Sequence, residues 1–108
     1  MKKYCFAVLL ILSIILIGCS GPDTEGKTYS ILYYGNEETG GIAPVDNHPY
    51  ISGENAEVKG KNTLYKTGYE FLYWNTKKQG DGKIYHVGDT ITVKNFDVFL
   101  YAIWGKLP

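Results

Sequence analysis

Few residues in this sequence could do chemistry, and their spacing does not assemble a catalytic or metal site. The two histidines, His48 and His86, lack the H-x-x-x-H spacing of a zinc site, and no cysteine pair accompanies them. The serines beyond the N-terminal segment, Ser20, Ser30 and Ser52, do not lie in a G-x-S-x-G turn, so no nucleophilic triad is indicated. We therefore predict no enzyme activity, no catalytic residue, no metal and no cofactor.

The acidic residues are typical of solvated loops. Glu37 and Glu38 are adjacent in a polar stretch, whereas paired catalytic carboxylates need a cleft that holds them apart. Asp81 and Asp89 stand near glycines, but the x-D-x-D-x-D-G ladder of a calcium loop is missing. The acidic residues therefore do not indicate a catalytic or calcium-binding site.

Length and charge narrow the class of protein. The chain has 108 residues, and its eleven lysines balance eleven acidic residues without any arginine. This length allows one domain at most. Zero net charge without arginine excludes nucleic acid as a partner, because phosphate binding requires a basic face.

The N-terminus is predicted to be a targeting segment. Lys2 and Lys3 precede an uncharged, largely apolar run over residues 6–17, which ends at Gly18. Twelve residues are too few to span a bilayer as a helix, which needs about 20. A basic start, a short apolar region and a small residue describe a secretory signal peptide at 1–18. An uncleaved anchor and a buried core helix are the alternatives.

The tetrapeptide Leu16-Ile17-Gly18-Cys19 resembles the lipobox of bacterial lipoproteins. The resemblance implies cleavage between Gly18 and Cys19, acylation of the Cys19 thiol and attachment to the membrane through its acyl chains. Ser20 follows instead of the aspartate that retains lipoproteins at the inner membrane. We therefore expect an envelope location, at the outer membrane or the outer leaflet of the cell membrane.

The remaining chain predicts a flexible tether at 19–27 and one small, mostly β domain at 28–105. Segments rich in β-formers at 28–34, 69–76 and 98–104 are separated by glycine-rich turns, and shorter strands are expected at 56–59, 83–87 and 90–93. Residues 61–67 are the best place for one short helical turn. No apolar stripe of period 3.6 extends across ten residues.

Alternation along the strands divides the residues between two sides of a sheet. Trp74, Leu72, Leu100, Ala102 and Trp104 are predicted to form the structural core. A tyrosine-rich side then either belongs to central strands or meets solvent. An exposed side has two explanations: tyrosine is a good strand residue whose hydroxyl tolerates water, or the side is a contact surface for a partner. The candidate binding face consists of Tyr33, Tyr69, Tyr73 and Tyr101.

A set of motifs covering residues 29–104 resembles the Listeria–Bacteroides repeat, the B-repeat type of internalin-like surface proteins. The matching pieces are Tyr33-x-x-Asn36, Gly40-Gly41-x-x-Pro44-x-Asp46, Tyr50-x-x-Gly53, Gly68-Tyr69-x-Phe71-x-x-Trp74-Asn75-Thr76, Gly80 with Gly82, Tyr85-x-x-Gly88-Asp89 and Leu100-Tyr101-Ala102-x-Trp104. The family usually has glycine where this chain has Tyr73, and its members usually carry several repeats.

The resemblance implies a β-grasp-like (ubiquitin-like) fold and duty in surface display, adhesion or spacing without catalysis. We therefore expect a lipid-anchored surface protein whose single repeat acts as an interaction or spacer module. The alternative is an envelope glycan-binding module that stacks sugars on an exposed row of tyrosines. The sequence does not identify the protein or glycan partner.

Overall fold

The computed structural model describes residues 26–108. The predicted signal peptide at 1–18, the cleavage and lipidation site at Gly18 and Cys19, and all but the last two residues of the tether predicted at 19–27 lie outside the described residues. Six strands follow one another along the chain: β1 (Ile31–Tyr34), β2 (Asn55–Glu57), β3 (Tyr69–Asn75), β4 (Ile84–Tyr85), β5 (Thr90–Thr92) and β6 (Val98–Lys106).

Four of the strands form a mixed sheet in the order β1-β6-β3-β4, and β2 pairs with β5 in a separate ribbon. The first and last strands of the domain are parallel neighbours, with Ile31 opposite Val98, whereas β3 is antiparallel to both β6 and β4. The prediction of a small, mostly β domain is confirmed. Residues 26–108 contain no helix.

The helical turn predicted at 61–67 is wrong. The amide of Leu64 donates to the carbonyl oxygen of Lys61 at 3.2 Å, which closes one turn, and Tyr65 then forms a bridge with Gly40. Main-chain hydrogen bonds join the segment to the loop at 39–42. Tertiary pairing overrides a weak local helical preference here, because a single isolated helical turn gains little from its own hydrogen bonds.

The core lies between one face of the sheet and the β2–β5 ribbon. Trp74, Leu100 and Ala102 are completely buried there, and Trp104 is partly buried against them. The Trp74 indole N–H donates to the carbonyl oxygen of Lys59 at 2.8 Å, which ties β3 to the segment that follows β2. Because Trp74 combines full burial with a satisfied donor, it fastens the two layers together.

Leu72 does not lie in the core, where the sequence placed it. A β-bulge interrupts β3 between Phe71 and Tyr73, so Leu72 is the extra residue, and its side chain is 42% exposed. The bulge shifts the alternation by one residue, because two residues of β3 then oppose one residue of β6. Phe71 consequently lies on the core side with Trp74, at 5.1 Å between ring centroids.

Candidate functional site

The sheet has a second face, opposite the core, that stays largely exposed. Strand register places Leu32, Tyr34, Phe99 and Tyr101 together on this outer face, with Tyr73 beside Ile103 further along. Leu32 is 36%, Tyr34 41% and Phe99 44% exposed. Contiguous exposed apolar surface is typical of a contact with a partner. The outer face is therefore the candidate functional surface.

Tyr34 stacks against two other aromatic rings on the outer face, those of Phe99 and Tyr101. Tyr34 lies 5.2 Å from Tyr101 and 6.3 Å from Phe99 between ring centroids, with the ring planes 21° and 23° apart. These values describe offset stacking, in which each ring turns a face toward its neighbour. The stacking reduces the flat ring area that could lie against a sugar.

The tyrosines that the sequence assigned to the binding face do not form one row. The prediction that Tyr33 belongs to an exposed face is wrong. Tyr33 is 7% exposed, lies on the core side and packs against Trp74 at 4.9 Å between ring centroids. Tyr69 lies at the start of β3 beneath the Lys66 ammonium group, 4.7 Å from the ring centroid. Tyr73 contacts His86, and only Tyr101 belongs to the stack.

A hydrogen bond to its hydroxyl allows Tyr33 to face inward. Its hydroxyl oxygen accepts a hydrogen bond from the Lys59 amide at 3.0 Å, so the polar end of the side chain is satisfied inside the domain. Burial raises the pKa of Tyr33 above the ordinary value for tyrosine. The hydroxyl thus acts as a structural acceptor rather than an exposed contact.

A turn over residues 76–83 covers one end of the outer face. Its centre is the side chain of Asn75, which has no exposed surface. The Asn75 amide donates to the carbonyl oxygens of Gly80 and Gly82 at 3.1 and 3.3 Å, and its oxygen accepts from the amides of Lys77 and Gly82 at 2.8 and 2.9 Å. This one side chain therefore fixes the shape of the turn.

Asp46, His48 and Glu54 form a cluster of titratable side chains with Tyr50. Its hydroxyl donates to Asp46 at 2.7 Å, and burial, followed by this carboxylate, raises the pKa of Tyr50. The amide of Ile51 donates to Glu54 at 2.9 Å and lowers the pKa of that carboxyl, with a smaller effect from His48. These bonds hold the loop between β1 and β2.

The two histidines of the described residues lie near carboxylates at the surface. His86 lies 3.8 Å from Asp89 on an exposed loop, and His48 lies 3.4 Å from Glu54. Over residues 26–108, no three or more His, Cys, Asp or Glu side chains are grouped to hold a metal ion.

Sequence reasoning missed Tyr34 and Phe99 as site residues, although their signal was present. Alternation places Tyr34 on the other side of the sheet from Tyr33, and Phe99 on the other side from Leu100. What the pattern does not reveal is which side faces outward, because both sides of β1 carry tyrosine and aliphatic residues.

The fold and the site define a small β-rich domain with one exposed, non-polar sheet face. Residues 29–103 match the model of the Listeria–Bacteroides repeat domain, which is a family of non-catalytic repeats. The chain therefore belongs to the Listeria–Bacteroides repeat family, and the predicted resemblance is confirmed.

Two proteins of Evansella cellulosilytica are similar to this chain. One, named "Putative membrane protein", is 34% identical over 80 residues, which are 74% of this chain and 12% of the relative. The other, named "Putative Gly-rich membrane protein", is 37% identical over 76 residues, or 70% of this chain and 9% of the relative. The chain thus spans only about a tenth of these relatives.

No solved structure matches the chain. Within residues 26–108, no helix has the length and apolar character needed to cross a membrane.

Proposed function

We propose that this protein is a lipid-anchored protein of the bacterial envelope whose single repeat domain binds a partner protein through the outer face. The exposed stack of Tyr34, Phe99 and Tyr101 carries the proposal. Membership of a non-catalytic repeat family supports a binding role. The names of the two relatives support association with a membrane.

The anchor part of the proposal rests on Cys19 and is tested separately. The full chain is expressed in a bacterial host, and membranes are washed in high salt, which removes proteins held by charge alone. We expect the wild-type chain to remain with the membranes and Cys19→Ala to lose acylation and leave them. Ser20→Ala is the matched control. Retention of unacylated Cys19→Ala in the washed membranes would contradict lipid anchoring.

A protein partner fits the outer face better than a glycan. Stacked rings have turned their faces to one another, whereas sugars bind to open aromatic faces. Ring edges with neighbouring leucine provide the mixed apolar surface that proteins bury at the centre of an interface. The tyrosine row of the glycan hypothesis is not formed, because its four members are dispersed over both sides of the sheet.

The partner is sought with the intact chain in detergent micelles, by crosslinking to envelope proteins and to host matrix proteins, in parallel with a glycan array. The double variant Tyr34→Ser/Phe99→Ser should abolish saturable binding to the captured protein. Val87→Ser is the control, because Val87 is 54% exposed and lies outside the four-stranded sheet. Saturable glycan binding that the double variant abolishes would overturn the assignment to a protein partner.

A further inference from the structure

Strand β6 is longer than β1, its parallel neighbour, so the far end of β6 has an open edge on that side. β1 pairs with β6 only from Val98 to Tyr101, whereas β6 continues to Lys106. After β1, Asn36 and Glu37 adopt left-handed conformations, with φ of 59° and 65°, and direct the chain away. The last hydrogen bond to the main chain of β6 on this side comes from the Asn36 side-chain amide, which donates to the carbonyl oxygen of Ala102 at 2.9 Å.

The hydrogen bonds around β6 show which main-chain groups face the open edge. The amide of Val98 donates to Ser30 and the carbonyl oxygen of Ala102 accepts from Asn36, so even-numbered residues face the line of β1. The amide of Leu107 donates to Gly68, so odd-numbered residues face β3. Because strand groups alternate, the N–H and C=O of Trp104 point to the open edge, as does the N–H of Lys106. They have no main-chain partner among residues 26–108.

A cavity of about 490 Å³ occupies this edge, and we call it the edge slot. On the core side its walls include Tyr69 and Trp104, and on the outer side they include Lys78 and Ile103. A cavity lined from both faces lies in the plane of the sheet, where a neighbouring strand would run. The Trp104 indole N–H donates to Gly35 at 2.9 Å, which fixes one wall.

We propose that the edge slot accepts an extended segment of a partner protein, which adds to the sheet as a strand beside β6. This inference rests on the proposed function of the domain as an interaction module. Unpaired strand edges are templates for such addition, and the main chain supplies hydrogen bonds while alternate side chains supply specificity. From Trp104 to Lys106 the open edge is about 7 Å long at 3.3 Å per residue, which is room for two to three added residues.

The walls of the edge slot define the chemistry of the segment. A side chain on the core side meets the rings of Tyr69 and Trp104, so an apolar residue fits there. A side chain on the outer side meets Lys78, so an acidic residue fits there. The lining contains Lys66 and Lys78 against one carboxylate, Glu37, which favours a segment with negative charge. The expected ligand is therefore an extended peptide that alternates apolar and acidic residues.

The first test concerns the free protein and uses the intact chain in detergent micelles. Amide hydrogen exchange followed by NMR should alternate along the end of β6. Ile103 and Gly105 should be protected by pairing with β3, and Trp104 and Lys106 should exchange at least about tenfold faster. Equal protection of Trp104 and Gly105 would show that the edge is closed and would overturn the proposal.

The second test adds the synthetic peptide acetyl-Val-Glu-Val-Glu-Val-Glu-amide as a probe. Binding should shift the Trp104 and Lys106 amide signals and slow their exchange by about tenfold or more at saturation. The same peptide N-methylated at alternate residues keeps its charge and loses main-chain donors, so its binding should weaken by about tenfold or more. Absence of binding at millimolar peptide, or equal binding of the N-methylated form, would overturn the proposal.

Lys106→Pro gives a matched variant of the protein. Proline removes an N–H that has no bond to β3, so the ladder survives while the edge loses a donor. Peptide binding should be lost in Lys106→Pro and retained in Lys106→Ala. Retained binding in the proline variant would refute strand addition.

Two further outcomes separate binding at the edge slot from binding at the outer face and from self-association. Tyr34→Ser/Phe99→Ser should leave peptide binding unchanged, so failure of the outer face as a site is distinguishable from failure of the edge slot. Sedimentation of the chain without peptide should show no self-association that depends on position 106. Self-association abolished by Lys106→Pro would assign the edge slot to a second copy and overturn the partner assignment.

Discussion

Replacing Asn75 should cost the domain a large part of its stability, although the residue is polar and follows the core tryptophan. The side chain forms four hydrogen bonds to the turn at 76–83 and has no exposed surface. Each such bond contributes about 0.5–1.5 kcal/mol net, and solvent can reach part of the turn after truncation. We therefore expect Asn75→Ala to lower the free energy of unfolding by about 2–4 kcal/mol.

Asn75→Asp separates hydrogen bonding from size. The aspartate oxygen that replaces the amide nitrogen would face the carbonyl oxygens of Gly80 and Gly82, now 3.1 and 3.3 Å from the nitrogen. We expect burial and these carbonyls to outweigh the Lys77 and Gly82 amides, which favour the charged form, and to raise the pKa of the new carboxyl above its unfolded value of about 3.9. A raised folded pKa means that the protonated form stabilises the fold, and this stability is lost as pH rises through the folded pKa.

Urea unfolding of both variants between pH 4.5 and 7.5 checks the reasoning. The stability deficit of Asn75→Asp relative to wild type should grow as pH rises, whereas that of Asn75→Ala should stay constant. In thermal melts the alanine variant should lose about 8–32 °C, taking about 4–8 °C per kcal/mol for a domain of this size. A deficit below about 1 kcal/mol for Asn75→Ala, or a pH-independent deficit for Asn75→Asp, would refute the role assigned to this side chain.

Tyr33→Phe, Gly41→Ala and Glu54→Gln, two of them with matched controls, test separate parts of the fold by urea unfolding. Tyr33→Phe removes the oxygen that accepts the Lys59 amide and should cost about 1 kcal/mol, whereas the exposed Tyr34→Phe should cost under about 0.5 kcal/mol; equal costs would contradict the buried bond. Gly41→Ala should cost at least about 3 kcal/mol, because a Cβ would overlap the carbonyl oxygen of Thr63. Gly53→Ala shares the positive φ but meets no atom within 4 Å, so it should cost about 1 kcal/mol, and similar costs for both glycines would disprove the overlap. Glu54 has a lowered pKa, so its charged form stabilises the fold above its unfolded pKa, and this stability is lost as pH falls through the folded pKa. Glu54→Gln should therefore lose less stability than wild type on acidification from pH 6 to 3.5. Parallel stability curves for the two proteins would exclude a contribution from Glu54.

The sequence predicts β6 well because alternation is undisturbed there. Leu100, Ala102 and Trp104 share one side, and Phe99, Tyr101 and Ile103 share the other, and the structure has the same division. A period of two residues is enough to assign sides when every residue of a strand has one partner on its neighbour.

The same reasoning fails in β3 and β1 for different physical reasons. In β3 the bulge inserts Leu72, and no residue type in the segment signals that the pairing slips by one residue. In β1 both sides carry tyrosine, whose ring suits a core and whose hydroxyl suits water, so the inward turn of Tyr33 depends on the distant Lys59 amide. The open edge of β6 is also invisible in the sequence, since it depends on where the strand beside it ends.

The parallel pairing of β1 and β6 has a mechanical consequence. A domain held at Lys27 and pulled through a partner near Lys106 is loaded at the start of β1 and at the end of β6. Because the two strands run in the same direction, the tension acts along them, and the bonds joining 31–34 to 98–101 share the load. They must break together rather than open one at a time from an end. Such a geometry resists unfolding under sustained tension through a high rupture force, a property set by the unfolding rate and not by equilibrium stability.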